Sequence, residues 1–187
     1  IDPATTDHLL GLFQPEHMRF EIDRGNDRAG EPSLSEMTLA ALRILGRNPK
    51  GFFLMVEGGR IDHGHHFGNA YRALTETIEF SNAVRAALAR VDPKRTLVVV
   101  TADHGHTLMI GGAPTRGNPI LGKVVENDDR GRPLPDFATD ATGAAFTTLS
   151  YANGPGYPGA TESQPEGPKH FSEHPPKHQR GVTHGPP

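Results

Sequence analysis

The chain contains no cysteine. Disulfides and cysteine-type zinc sites are therefore excluded for this stretch, while the compartment stays undecided. It has no apolar run long enough to cross a bilayer, and no signal peptide is visible. It also lacks a charge excess of one sign: 19 Lys and Arg stand against 22 Asp and Glu, a formal net charge of −3. Nothing in that balance suggests a nucleic-acid surface or a polybasic membrane patch. What stands out is histidine, with 11 residues, falling mainly in two short runs and in the stretch from His170 to His184. At 187 residues the chain is long enough for one domain with a real core. It opens Ile1-Asp2-Pro3 without a methionine and stops at Pro186-Pro187, so both ends read as cuts rather than natural termini.

The two histidine runs are Glu57-Gly-Gly-Arg-Ile-Asp62-His63-Gly-His65-His66 and Thr101-Ala-Asp103-His104-Gly-His106. Each follows an apolar stretch that reads as a buried strand. Burying an acid disfavours its charged form unless a cation or hydrogen bonds compensate. Acids and imidazoles crowded at strand ends therefore point to a metal, and this donor set suits zinc or another divalent ion used for hydrolysis.

Residues 1–32 read as irregular with short apolar pieces. Ser33 with Glu36 three residues on is a capping-box signature, and Leu34, Met37, Ala41 and Leu45 lie at helical spacing, ending at Asn48-Pro49. Gly51-Phe-Phe-Leu-Met-Val56 is a continuous apolar run of strand length, the pattern of a parallel strand buried on both faces. A long helix is expected from Gly68 to Val91, closed by Asp92-Pro93, with Thr96-Leu-Val-Val-Val100 as a second buried strand. Strand, helix, strand at this spacing is a βαβ unit, and open α/β sheets collect their chemistry beyond the carboxyl ends of the strands. The expectation is an α/β fold with a central, mostly parallel sheet flanked by helices. Beyond Gly111-Gly112, taken as a turn, residues 113–140 read as loops, with Asn127 to Arg132 an exposed turn. Phe146 to Tyr151 offers one more strand and Asn153-Gly-Pro-Gly156 a turn. We divide the chain into a partial α/β domain over 1–157 and a Pro- and His-rich loop or disordered tail over 158–187.

Asp62 and His66 are four residues apart, which on a helix puts both on one face. Gly58-Gly59 permit close approach or unusual backbone between Glu57 and Asp62. Asp103 and His104 form a second carboxylate–imidazole pair. The competing reading of either run alone is a helix start in which Asp62 caps and the histidines are solvated. Two such runs behind two apolar strands favour metal. His65 and His106 are candidates for supporting the ligands or for plain surface positions. The tail histidines His170, His174, His178 and His184 read as solvated loop residues, and Arg60 fits either a phosphate contact or a structural ion pair.

The run from Gly51 to His66, then Ala70-Tyr-Arg-Ala-Leu-Thr-Glu-Thr77 and Thr101-Ala-Asp-His104, resembles the metal-binding core of alkaline phosphatases. The similarity extends to Leu10-Gly-Leu-Phe13, Pro32-Ser-Leu-Ser-Glu-Met-Thr38 and Tyr151-Ala-Asn-Gly-Pro-Gly-Tyr157. The resemblance implies two zinc ions and one magnesium ion around a serine nucleophile that hydrolyses phosphate monoesters at alkaline pH. It makes Glu57 the magnesium ligand, Asp62 and His66 ligands of the first zinc, and Asp103 and His104 ligands of the second. His63 falls near the bound phosphate. Animal members also hold calcium, at places corresponding to the Phe13 carbonyl, Gln14 and Glu31, with Gln14 standing where an acid is expected. The resemblance further implies phosphate monoesters and inorganic phosphate as partners, no nucleic acid, a homodimer when complete, and a periplasmic or extracellular location.

The family's Asp-Ser-Ala nucleophile segment does not occur in the sequence, nor does its phosphate-clamping arginine region. Its last zinc histidine is echoed only by Thr183-His184-Gly185. The reading is thus the middle of a phosphatase with about half of the metal cage, inactive by itself. A non-catalytic metal- or phosphate-binding fragment, and a sulfatase or phosphomutase relative, are the alternatives.

Overall fold

The structure is a computed structural model and describes residues 2, 4–105, 107–141 and 143–152. Its elements run α1 (Glu21–Arg24), α2 (Leu34–Leu45), α3 (Arg60–His66), α4 (Ala70–Leu88), β1 (Leu108–Ile110) and β2 (Leu149–Tyr151). They fall into two compact units, each built from two stretches of chain. One joins the residues up to Arg60 with Leu74–Ala102; the other joins Ile61–Ala73 with the described residues from Asp103 onward.

In the first unit, α2 forms where capping and periodicity predict it. Ser33 Oγ accepts from the Glu36 amide at 3.1 Å, and Glu36 Oε2 accepts from the Ser33 amide at 2.7 Å. Two donors that a helix start leaves open are thereby satisfied. At the other end the Gly46 amide donates to the Leu42 carbonyl at 2.9 Å. Arg47 then reaches the carbonyls of Ala4 and Thr6 and the Asp7 carboxylate, tying the start of the chain to the helix.

Two glutamates one turn apart on α4 receive α1 and α2. Glu79 accepts from the Ser35 amide at 2.9 Å. Burial works to raise its pKa, but hydrogen bonds from Ser35, Asn82 and Ser33 together outweigh burial and hold it low. Glu76 accepts from the Glu21 amide. There burial prevails, and the carboxyl is pushed up despite that hydrogen bond and the nearby Arg60 charge. Arg60 itself lies with its guanidinium 3.8 Å from the centroid of the buried Phe20 ring, a structural use of this side chain.

The parallel sheet expected from residues 51–56 and 96–100 is not formed among the described residues. Neither run is paired, and the sheet present is a two-stranded antiparallel one. Both runs are largely exposed. Phe53 and Leu97 are each 88% accessible, while Phe52 and Val98 beside them are each 39% accessible, the alternation of an extended chain. A strand buried on both faces needs neighbours at its edges and cover above and below. The described residues supply neither, so two strongly apolar runs stay extended and open.

In the second unit β1 and β2 pair antiparallel, Leu108 opposite Tyr151 and Ile110 opposite Leu149. The connection between them folds around the fully buried Val124, whose amide donates to Phe146 at 3.0 Å and whose carbonyl accepts from Ala138 at 2.9 Å. Gly112 is required here twice over. Its φ is +73°, and a Cβ on it would stand 3.0 Å from Val124 Cγ2. The 127–132 turn closes on Asp128, which accepts from the Arg132 amide and Nε, both at 2.8 Å. Hydrogen bonds from Arg132 hold the Asp128 carboxyl below its usual range.

The long helix starts at Ala70 rather than Gly68. Gly68 takes a left-handed φ of +61°, and Asn69 caps: its carbonyl accepts from Ala73 at 3.0 Å and its Oδ1 from the Arg72 amide at 3.1 Å. Against this first turn lies Gly64 of α3. A Cβ on Gly64 would come within 2.7 Å of the Ala73 nitrogen and 2.9 Å of its Cα. No helix among the described residues is long and apolar enough to cross a membrane.

Two predictions follow from this packing. Glu76→Gln keeps an oxygen for the Glu21 amide and removes a buried charge. Since the folded carboxyl titrates above the ordinary 4.5, stability is full below that pH and falls as pH rises through the raised value. Urea unfolding should show the variant more stable than the parent at neutral pH and equal to it well below 4.5. Gly64→Ala should destabilise the fold by about 1–3 kcal/mol, because the new methyl meets backbone rather than a movable side chain. An unfolding midpoint equal to the parent's would show that α3 does not pack this closely.

Candidate metal centre

The helical turn after Gly59 carries out what the spacing of Asp62 and His66 predicts. Both lie on α3, and His66 Nε2 is 3.1 Å from Asp62 Oδ2. The second run arrives in the same unit. His104 Nε2 stands 3.9 Å from Asp62 Oδ1 and 3.5 Å from Asp103 Oδ2, and the His104 amide donates to Asp103 Oδ1 at 3.1 Å. Asp62, His66, Asp103 and His104 are thus gathered in one place, with the Asp62 carboxylate between two imidazoles. His66 is largely covered, whereas Asp103 is open to solvent.

Among the described residues no three His, Asp or Glu side chains are disposed to hold a single ion. The donor chemistry nonetheless fits one. Asp62 Oδ1 is a buried oxygen with no hydrogen-bond partner. Leaving such an acceptor unsatisfied costs about 1–3 kcal/mol, more when it is charged. A cation there would offset that penalty, and carboxylate oxygen with imidazole nitrogen is a zinc donor set.

The remaining sequence candidates lie as follows. Glu57 belongs to the other unit, is exposed, and has Oε1 3.4 Å from where a Cβ would stand on Gly59. Gly59 has no left-handed φ, so its backbone is one that other residues adopt. His63 sits half-buried on α3, and its carbonyl accepts from the Phe67 amide at 3.1 Å. Glu31 is 3% exposed; one of its oxygens accepts from the Arg19 amide at 2.9 Å, while Oε1 is buried and has no hydrogen-bond partner. Phe13 is exposed and Gln14 half-buried. His106, the Asn153 to Gly156 turn, residues 158–187 with their histidines, and Thr183-His184-Gly185 lie outside the described residues.

Sequence reasoning left His65 undecided and gave Tyr151 no role. In the structure His65 Nδ1 and the Tyr151 hydroxyl share a hydrogen bond at 3.0 Å, and Tyr151 is 5% exposed. The available signal was the tyrosine itself: a buried phenol requires a partner for its hydroxyl.

A family model described as alkaline phosphatase matches residues 2–181. The tissue-nonspecific alkaline phosphatase of Rattus norvegicus is 49% identical over 157 residues, covering 84% of this chain and 28% of that protein. The corresponding isozyme of Mus musculus is also 49% identical, and that of Homo sapiens 47%, with the same coverage of 84% and 28%. The chain therefore spans 28% of the length of these curated relatives. With its match extending over residues 2–181, the chain belongs to the alkaline phosphatase family, and with that membership comes an α/β fold class.

Proposed function

We propose that this chain is the metal-binding portion of a zinc- and magnesium-dependent phosphomonoesterase. The observation that carries the reading is the Asp62 carboxylate, set between His66 at 3.1 Å and His104 at 3.9 Å, with a buried oxygen lacking a hydrogen bond. In a member of this family, that arrangement is best explained by a divalent cation.

In this reading Asp62 and His66 hold one zinc, Asp103 and His104 hold a second, and Glu57 offers the hard oxygen that magnesium prefers. A pair of zinc ions supplies Lewis acidity and lowers the pKa of a coordinated hydroxyl or water. The chain's own residues set where that chemistry occurs. Asp62 orients His66 through their direct contact, Asp103 fixes the start of the His104 segment through its amide, and His63 faces the phosphate of a bound ester. The substrates are phosphate monoesters, with inorganic phosphate as product. The whole protein is a homodimer acting outside the cytoplasm, and its sheet takes Phe52–Val56 and Leu97–Val100 as parallel strands. Glu31 keeps one buried oxygen without a hydrogen bond, but Gln14 in place of an acid counts against a calcium ion at the Phe13, Gln14 and Glu31 positions.

The sequence contains no Asp-Ser-Ala nucleophile segment. That supports a second statement, that this stretch binds metal without turnover. Two protein ligands per zinc fall short of the three usual at catalytic sites.

Zinc titration of the 187-residue chain against a chromophoric chelator tests the reading. Asp62→Asn should weaken zinc by at least about tenfold, since it removes a direct ligand. With zinc and magnesium added, the chain should hydrolyse a chromogenic phosphate monoester no faster than the metals alone. Unchanged zinc affinity in Asp62→Asn would sink the metal assignment, and sustained turnover would sink the non-catalytic statement.

A further inference from the structure

The two ligand-bearing segments reach the site from different parts of the chain, yet both are fastened to the same end of β2. Tyr151, the last residue of that strand, shares a hydrogen bond with His65 Nδ1 at 3.0 Å, and the two rings lie 5.7 Å apart at 52°. His65 stands on α3 between Asp62 and His66. The next residue, Ala152, donates its amide to the Thr107 carbonyl at 3.0 Å. Thr107 holds a left-handed φ of +44°, rare for a β-branched residue, three positions after His104. Leu108 then pairs directly with Tyr151 in the ladder.

We propose that Tyr151 is a positioning residue for the metal centre, setting α3 through His65 while its neighbour Ala152 sets the Asp103–His104 segment through Thr107. The last residue of β2 and the one that follows it then fix the spacing between the Asp62/His66 pair and the Asp103/His104 pair. Tyr151 is suited to this because it is buried and its hydroxyl is committed to His65, so a shift of β2 is transmitted to both sides at once. In this proposal the phenol is not itself a metal ligand. It acts on where Asp62 and His66 point, as outer partners of metal ligands generally do. This inference rests on the zinc reading given above.

The test uses the full 187-residue chain with zinc as the probe, its affinity read by competition with a chromophoric chelator. The variants are Tyr151→Phe, His65→Leu, His65→Gln and the double variant Tyr151→Phe/His65→Leu, with Asp62→Asn as reference. Tyr151→Phe and His65→Leu should each weaken zinc about tenfold. His65→Gln, which keeps a group able to bond the phenol, should retain near-parent affinity, and the double variant should be no worse than either single one. Cobalt(II) bound in place of zinc should give altered visible bands in Tyr151→Phe and parent-like bands in His65→Gln. The His65 pair leaves the tyrosine in place, so the comparison stands even if Tyr151→Phe folds poorly. Parent-like zinc affinity and cobalt bands in His65→Leu, with Asp62→Asn impaired, would overturn the positioning role alone. Parent-like affinity in Asp62→Asn would overturn the zinc reading and this inference with it.

Discussion

The Asp62 carboxylate is the constraint on which the site depends. It contacts His66 through one oxygen and faces His104 through the other, and that second oxygen is buried with no hydrogen bond. A carboxylate oxygen removed from water normally recruits a donor. Here the nearest groups are imidazoles, which serve equally as metal ligands or as charged partners. A buried acceptor without a donor costs the bare fold free energy, and a cation placed there would offset that cost.

Keeping Asp62 there requires α3 to be held closely, and the holding is done by backbone approach and one ladder. Gly64 brings α3 so near the first turn of α4 that a methyl group would collide with Ala73. Tyr151 adds a directional hydrogen bond to His65 on the same short helix. Three ladder pairs between β1 and β2 are a small sheet, yet they join the Asp103–His104 segment to the strand that carries Tyr151. In the other unit the organising forces are electrostatic. Glu76 and Glu79 lie one turn apart on α4, and their carboxyls shift in opposite directions. Burial dominates at Glu76, whereas at Glu79 several donors outweigh it, so local donor supply rather than helix position decides the sign.

The two apolar runs mark where sequence and structure part. Phe52–Val56 and Leu97–Val100 have the composition of strands buried on both faces, but in this chain they are extended and exposed. Composition reports the environment a segment is built for. Only neighbouring segments can provide that environment, and a chain covering 28% of its relatives' length need not contain them. The same logic explains the helix boundary at Ala70: the apolar stripe was legible, but the exact start came from the left-handed Gly68 and the Asn69 cap.

The sequence by itself determined the local rules: the Ser33/Glu36 cap, the helical pairing of Asp62 with His66, and the acid–imidazole composition of both runs. Each depends on spacings of three or four residues, which backbone geometry converts directly into contact. Only the tertiary structure decided that His104 comes to Asp62, that His65 is bonded to Tyr151, and that Gly64 must be glycine. The first two contacts join segments far apart in the chain, and the third packs α3 against the start of the next helix. Their existence depends on how helices and strands pack, a property of the assembled surfaces that no single run of residues carries.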